Sequence, residues 1–387
     1  MSALFSAFSD QEFQARFNKA RDLLRQESLD AFVIVAPEHL YYFGGYDSWV
    51  SVNSPQALVF TAGEDEPTLI LRDVDLTLAT ETSWLTDIRT YNMVLEDYPS
   101  CVKELLQQKG LTGGKIGIER QSYALPFSLG QALGNALGNY EFVDATNLLG
   151  ALRLIKSPQE LAYINKAASY ASAGLKALQK HAKVGVNEMA LGTEIDYALR
   201  KSGSDYPAIP TELTSGTRSA GCHGTPRNRI IQDGDLVHAE FAGVEQRYHA
   251  VAFQTLVCGE PSPEAKELYN AGLVSLHAGI SAIKPGASVA SVEEASLLPL
   301  KALGLESAAM MRFGYGIGIA YPPIWLETLQ IARGFDQSLE SGMVFVLHSC
   351  LELPKQGLGV IQGGTYHLTE DELAMIVGTG DCDLLIN

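Results

Sequence analysis

One carboxylate, Glu240, lies in the stretch 238-HAEFAGV-244, which otherwise has the character of a buried strand. Side chains alternate along a strand, so His238, Glu240 and Ala242 are expected on one face. Burying an ionised glutamate without partners costs several kcal/mol, and the side chain must therefore be solvated, paired or functional. Because perturbed carboxylates cluster at active sites, Glu240 is the first catalytic candidate.

Two histidines are further candidates. His223 lies between glycines in 221-GCHGTPRNR-229, where a ligand has room to approach it. An unperturbed pKa of about 6.5 suits a histidine to general base catalysis, although an exposed loop histidine without a function fits this pattern too. His249 directly follows Tyr248, and for it a structural role and a site role are equally open.

An aromatic segment, 313-FGYGIGIAYPPIW-325, combines alternating glycines with several rings. It lacks the G-x-G-x-x-G pattern after a strand, so a dinucleotide loop is rejected. Tyr315, Tyr321 and Trp325 either pack a core or wall a pocket for a compact cation through cation–π contacts.

Composition narrows the class of ligand. The 387 residues include 28 Lys+Arg and 45 Asp+Glu, a net charge of −17, and no basic run occurs. Nucleic acids and anionic membranes are therefore poor partners, whereas a small zwitterionic or cationic substrate fits.

The cysteines and the N-terminus indicate a reducing, cytoplasmic location. The cysteines are odd in number and never spaced as C-x-x-C, which predicts neither a disulfide framework nor a structural zinc site. They are Cys101, Cys222, Cys258, Cys350 and Cys382. No signal-peptide pattern and no apolar stretch of the roughly 20 residues needed to span a bilayer is found.

The elements that must position these residues fall into two groups. Apolar spacing predicts helices at 10–26, 102–108 and 128–137 and strands at 31–35, 57–60, 68–72 and 115–119. Such alternation is typical of an α/β domain, placed at residues 1–151.

A second domain is predicted at residues 152–387. Ser157, Pro158 and Glu160 have the spacing of a capping box that opens a long helix. This helix is followed by a second helix, a loop over 213–228, strands 235–242 and 248–258, two more helices and a strand-rich tail. Such an order of elements is typical of an α+β domain.

Several motifs, in this order, resemble the pita-bread superfamily of Xaa-Pro aminopeptidases, methionine aminopeptidases and creatinase. They are LRLIKSPQEL, G-x-H-G, GDLVHAEFAG, FGYGIG, SGMVFVLH and HLTEDE. The resemblance covers nearly the whole chain and implies an α/β creatinase-like N-terminal domain followed by an α+β pita-bread (creatinase/aminopeptidase) domain.

Metallopeptidases of that superfamily bind two metal ions through five side chains. The matching positions here are Glu240, Val251, Tyr315, His348 and Gly363. Valine and glycine offer no ligand atoms, so the resemblance implies no metal cofactor. A single mononuclear site formed by Glu240, His348 and His249 is the alternative.

The metal-free branch of the superfamily contains creatinase and ectoine hydrolase, and local motifs resemble the latter. These motifs are GYDSW, SPQALVF, the R-x-x-D of LRDVD, EFAGVEQRYHA and YGIGIAYPPIW. The resemblance implies metal-independent hydrolysis of an amidine-type C–N bond in a small zwitterionic solute, with Glu240 as the nucleophile or base and His223 moving the proton.

The same resemblance suggests substrate-binding residues and a homodimer. Arg72 or Arg229 would hold a substrate carboxylate. His348, which stands where a metal-binding glutamate would be, would contact the substrate, pair with Glu240 or only fill space. In creatinase-like dimers the N-terminal domain of one subunit covers the active site of the other, so Trp49 and Arg72 would act across that interface.

Three other functions remain open. They are a prolidase-like peptidase with a degenerate metal site, a creatine-type amidinohydrolase, and a binding protein on a scaffold that no longer catalyses.

Overall fold

The computed structural model describes residues 4–379 and 383–387, and Cys382 lies outside them. The chain divides into two units, Met1–Arg153 and Leu154–Asn387, each with its own hydrophobic core. None of the helices in the described ranges is long and apolar enough to cross a membrane.

The first unit is a mixed sheet with helices. Its strands are β1 (Ala31–Ile34), β2 (Ala57–Thr61), β3 (Thr68–Arg72), β4 (Asp87–Tyr91), β5 (Gly114–Ile118) and β6 (Tyr140–Asp144), in the spatial order β4-β3-β2-β1-β5-β6. Its helices are α1 (Asp10–Gln26), α2 (Pro37–Gly44), α3 (Leu76–Thr82), α4 (Tyr98–Gln108), α5 (Phe127–Ala136) and α6 (Thr146–Ala151). The helically spaced Phe13, Phe17, Ala20 and Leu24 of α1 are all buried.

The second unit begins with helices and continues with a large sheet. The helices are α7 (Pro158–His181), α8 (Glu188–Lys201), α9 (Pro263–Ser281) and α10 (Val289–Ala302). The strands are β7 (Glu212–Ser215), β8 (Asp235–Glu245), β9 (Tyr248–Cys258), β10 (Gly314–Gly316), β11 (Gln330–Ile331), β12 (Val344–Leu353), β13 (Leu358–Leu368), β14 (Leu373–Gly378) and β15 (Leu385–Ile386). The main spatial order is β11-β10-β12-β13-β9-β8-β7, with β14 paired to β13 and β15 to β9.

The predicted capping box opens α7. The Ser157 hydroxyl accepts from the Glu160 amide at 3.3 Å, and the Ser157 amide donates to the Glu160 carboxylate at 2.7 Å. This reciprocal pair satisfies amides that the first helical turn leaves free.

Two glycines bring α7 close to β8. A side chain at Gly174 would start 2.5 Å from the Phe241 ring, and one at Gly243 would start 2.0 Å from the Ala167 carbonyl oxygen. Such distances are far below van der Waals contact, so only glycine allows this approach. The strand that carries Glu240 therefore packs directly on the long helix.

The loop predicted over 213–228 contains a strand. Residues Glu212–Ser215 form β7, which pairs antiparallel with β8 and places Glu212 opposite Glu240. A strand of four residues is too short to show a clear alternation of apolar and polar residues. It is recognised only from its pairing with β8, which the sequence does not show.

Candidate active site

A pair of carboxyl groups lines a cavity of about 710 Å³ in the second unit. Glu212 on β7 and Glu240 on β8 are paired residues in the sheet, with exposed fractions of 7% and 8%. Cross-strand partners have Cβ atoms about 5 Å apart, so the two carboxyl groups interact directly. Glu240 was predicted from the sequence, but Glu212 was not, because its position depends on the unpredicted strand.

Burial makes both carboxyl groups hold protons more strongly than free glutamates. The pKa of Glu240 is raised well above 4.5, first by burial and then by the charge of Glu212. Burial raises the pKa of Glu212 to about 7, although a hydrogen bond from Glu240 opposes that rise. Two neighbouring buried carboxyl groups cannot both ionise readily, because their negative charges repel each other. The pair therefore shares a proton near neutral pH.

Two aromatic residues of the predicted segment orient Glu240. The Tyr315 hydroxyl donates to Glu240 Oε1 at 3.3 Å, and Trp325 Nε1 donates to the Tyr315 oxygen at 3.0 Å. Because the indole can only donate, the direction of this chain of hydrogen bonds is fixed toward the carboxyl group. The bond from Tyr315 favours the ionised form of Glu240 and opposes the effect of burial on its pKa.

Two of the predicted histidines also line the cavity. His348 on β12 is buried, and its Nδ1 atom has no hydrogen-bond partner among the described residues. Burial, together with the charges of Arg312 and His223, lowers the pKa of His348 to about 4. His348 is therefore neutral at physiological pH. His223 is exposed in its glycine loop.

His249 and Tyr321 are not among the described residues that line this cavity. His249 Nδ1 donates to the Arg247 carbonyl at 2.8 Å, and its Nε2 accepts from the Ala208 amide at 3.0 Å. Both ring nitrogens are thus used by the backbone, and burial lowers the pKa of His249 to about 3. The geometry corresponds to the structural alternative for His249, and Tyr321 is buried facing the Arg247 guanidinium.

The arginines predicted to hold a carboxylate are engaged elsewhere. Arg229 Nη1 donates to Asp235 at 2.6 Å and to the Ser215 hydroxyl at 2.5 Å, which ties β7 to the start of β8. Arg72, in the first unit, donates to Asp75 at 3.2 Å. Trp49 of the same unit is 62% exposed. None of the three belongs to the described residues that line the cavity.

Two arginines that the sequence analysis missed do line the cavity. Arg312 contacts the Gln330 side chain, and Arg333 donates to Glu293 at 3.0 Å. Arg312 lies between α10 and β10, and Arg333 lies between β11 and β12, where neither periodicity nor a motif marks them. Each carries a planar set of donors suited to a substrate carboxylate.

Glu188, in the first turn of α8, anchors both ends of the loop that carries His223. It accepts from the Ser215 hydroxyl at 2.6 Å and from the Arg227 amide at 3.0 Å, and it contacts the Arg218 guanidinium. The carboxylate is fully buried and satisfied by these donors. It was also missed, because in the sequence it is an ordinary acidic residue at the start of a helix.

The residues present do not fit the two-metal centre of the metallopeptidases in that superfamily. The Val251 side chain is buried and apolar, and Gly363 has no side chain. A side chain at Gly363 would also start 2.0 Å from the Leu347 carbonyl oxygen. Two metal ions need bridging carboxylates, and these two positions supply no ligand atom.

Replacing Glu212 with glutamine is expected to move the acid side of the pH–rate profile of kcat/KM to lower pH. Without the neighbouring charge, the pKa of Glu240 falls and its carboxylate forms at a lower pH. The pH–rate profiles of wild type and variant would show the shift. An unchanged acid side would contradict the coupling of the two groups.

The same variant is expected to change how stability depends on pH. The pKa of Glu212 is about 7 in the folded protein against a usual 4.5. Its protonation therefore contributes fully to the free energy of unfolding below pH 4.5, and this contribution is lost as pH rises through 7. Wild-type protein should therefore lose stability over this interval, and the variant should lose less. Urea unfolding at several pH values measures the difference.

The comparisons with known proteins follow the same two-part division. Residues 162–371 match Metallopeptidase family M24, and residues 16–155 match the Creatinase/Prolidase N-terminal domain. The ectoine hydrolase of Halomonas elongata is 29% identical over 374 residues, which cover 92% of this chain and 93% of that protein. The Xaa-Pro dipeptidase of Pyrococcus furiosus is 26% identical over 358 residues, covering 92% and 95%.

Solved structures share the fold. The recombinant prolidase from Thermococcus sibiricus has a TM-score of 0.88 at 19% identity. The match covers 98% of this chain and 100% of the prolidase chain. The predicted α/β creatinase-like domain followed by an α+β pita-bread domain is confirmed. The chain belongs to Metallopeptidase family M24 and is a hydrolase of that family with a Creatinase/Prolidase N-terminal domain.

Proposed function

We propose that the protein hydrolyses an amidine-type C–N bond in a small zwitterionic solute, by ring opening of a substrate like ectoine, without a metal ion on Glu240. The proposal depends on the Glu212–Glu240 pair, which shares a proton at the base of the cavity. The similarity to an ectoine hydrolase supports this substrate class.

The charges around the cavity suit a zwitterion. An amidinium group placed against Glu240 meets the negative charge of the pair, with Tyr315 and Trp325 as neighbouring rings. The substrate carboxylate is then held by Arg312 or Arg333 instead of the arginines named in the sequence analysis. Arrival of the cation lowers the pKa of Glu240, because an opposite charge favours the ionised carboxylate.

The proton then moves from Glu240 to Glu212, and Glu240 attacks the amidinium carbon. A C–O bond forms and the C=N π electrons move onto nitrogen. Glu212 or His223 gives its proton to the leaving nitrogen as the C–N bond breaks. Water then adds to the imidoyl carbon bonded to Glu240, with Glu212 or His223 taking its proton, and the C–O bond to Glu240 breaks, which leaves an amide product and restores the Glu240 carboxylate. The Nδ1 atom of neutral His348 has no hydrogen-bond partner among the described residues, and in this proposal it forms a hydrogen bond with the substrate.

The test is incubation of the purified protein with ectoine, 5-hydroxyectoine, creatine and an Xaa-Pro dipeptide, each with and without added manganese. Mass spectrometry is expected to show a product 18 Da heavier than ectoine, one water, without added manganese. Cleavage of the dipeptide alone, and only with manganese, would overturn the proposal.

The second candidate is a prolidase-like peptidase with a single metal ion. Glu240 and His348 are both present in the cavity, and histidine and carboxylate suit zinc or iron. The similarity to an Xaa-Pro dipeptidase also supports it. The dipeptide in the same assay decides between the two functions.

We also propose that the partner is a small molecule and that the protein is a homodimer. A net charge of −17 argues against nucleic acid. The homodimer is inferred from the creatinase-like resemblance alone.

A further inference from the structure

Three side chains outside the proton-sharing pair converge beside the His223 loop. Cys222, Cys350 and Glu352 place their sulfur and carboxylate atoms within 4.8 Å of one another. In the described part of the chain, this is the only group of three or more His, Cys, Asp or Glu side chains with such spacing. Both cysteines are free thiols.

Two structural elements build the cluster. Cys350 and Glu352 alternate along β12, so their side chains point to the same face of the sheet. Cys222 comes from the loop, and its amide donates to Glu352 Oε1 at 2.8 Å. The backbone of the loop is thereby held at the strand, with the Cys222 thiol directed to the same place as the other two groups.

The ligand types indicate a thiophilic divalent cation. Zinc binds thiolate sulfur at about 2.3 Å and carboxylate oxygen at about 2.0–2.2 Å in a tetrahedron, whose corners are then about 3.5–3.8 Å apart. Side chains already within 4.8 Å reach this geometry by small rotations. Hard cations such as magnesium and calcium prefer oxygen ligands and do not match two sulfur atoms.

We propose that Cys222, Cys350 and Glu352 bind one Zn²⁺ ion that holds the His223 loop against β12. None of the three occupies a position that the superfamily resemblance assigns to a metal ligand. Binding releases the thiol protons and leaves a fourth position for water. Because Cys222 directly precedes His223, the ion restricts where that imidazole can lie in the cavity. This role goes beyond the proposed function.

The test uses Co²⁺ as a spectroscopic substitute for zinc in the reduced full-length protein. Titration is expected to saturate at one Co²⁺ per chain with near-ultraviolet thiolate-to-cobalt absorption, which added Zn²⁺ removes. Cys222→Ser and Cys350→Ser each leave one thiolate in the cluster, so each should weaken this absorption at saturation and bind cobalt at least about tenfold more weakly. Cys258→Ser, which replaces a buried free thiol outside the cluster, should keep the wild-type absorption and the wild-type cobalt affinity.

No thiolate absorption in the wild type, or absorption and cobalt affinity that are undiminished in both cluster variants, would overturn the proposal. Circular dichroism of each serine variant verifies that it is folded. Glu352→Gln gives an independent check, since it removes one ligand charge without changing a cysteine. Cobalt binding is measured without substrate, so failure of the proposed hydrolysis leaves this result unaffected.

Discussion

Replacing Glu240 with glutamine is expected to lower kcat by about 10³-fold or more while the protein stays folded. The amide has nearly the same shape and can still accept from Tyr315, but it neither attacks a carbon nor exchanges a proton with Glu212. The measurement is the rate of product formation from the substrate identified in the assay above, together with the thermal unfolding midpoint.

Glu245→Gln is a matched control on the same strand. Glu245 lies at the end of β8, where it pairs with Lys166 at 2.8 Å and accepts from Tyr170 at 2.9 Å. Its replacement should leave kcat within about twofold of wild type, because Glu245 is not among the described residues that line the cavity and a partly exposed ion pair contributes little. Near-wild-type turnover by Glu240→Gln would end the proposal that this carboxylate reacts.

Replacing Lys156 with methionine is expected to destabilise the protein by about 3–5 kcal/mol. Lys156 Nζ lies 2.7 Å from Glu327 Oε2, and the side chains are only 1% and 3% exposed. Methionine fills a similar volume but leaves the carboxylate buried without its cation. Urea unfolding, followed by circular dichroism, measures the loss, and Trp325, two residues from Glu327, gives a local fluorescence signal.

Lys166→Met supplies the control for this prediction. Lys166 also pairs with a glutamate at 2.8 Å, but its side chain is 57% exposed. The expected loss of stability there is much smaller than at Lys156, because water screens the pair. Replacing both Lys156 and Glu327 with methionine should recover much of the stability that the single change loses. Equal losses at Lys156 and Lys166 would show that burial does not control the energy of the first pair.

Local patterns predicted much of the secondary structure. The apolar spacing in α1 and the capping box before α7 depend on residues close in sequence, and both appear in the structure. The strands β8 and β9 were also found, because their apolar residues run long enough to be distinguished. Their observed bounds differ from the predicted ones by a few residues at most.

The site was only partly predictable, because its geometry depends on contacts between distant residues. Glu212 is a candidate only once β7 pairs with β8. His249 was a candidate by its neighbours in sequence, yet its ring nitrogens bond to the backbone of Arg247 and Ala208. Arg312 reaches the cavity from a segment without a regular pattern. The spacing of residues along a short stretch of sequence does not predict such long-range contacts.

The close approach of α7 to β8 through Gly174 and Gly243 has a consequence for how specificity can change. Glu240 lies on a strand that packs closely on a helix, so the base of the cavity has little freedom to adapt. The side walls are different, since Arg312, Trp325 and Arg333 lie in segments outside the helices and strands. Selection for a different solute would therefore act first on these wall residues, while the reacting carboxylate keeps its place.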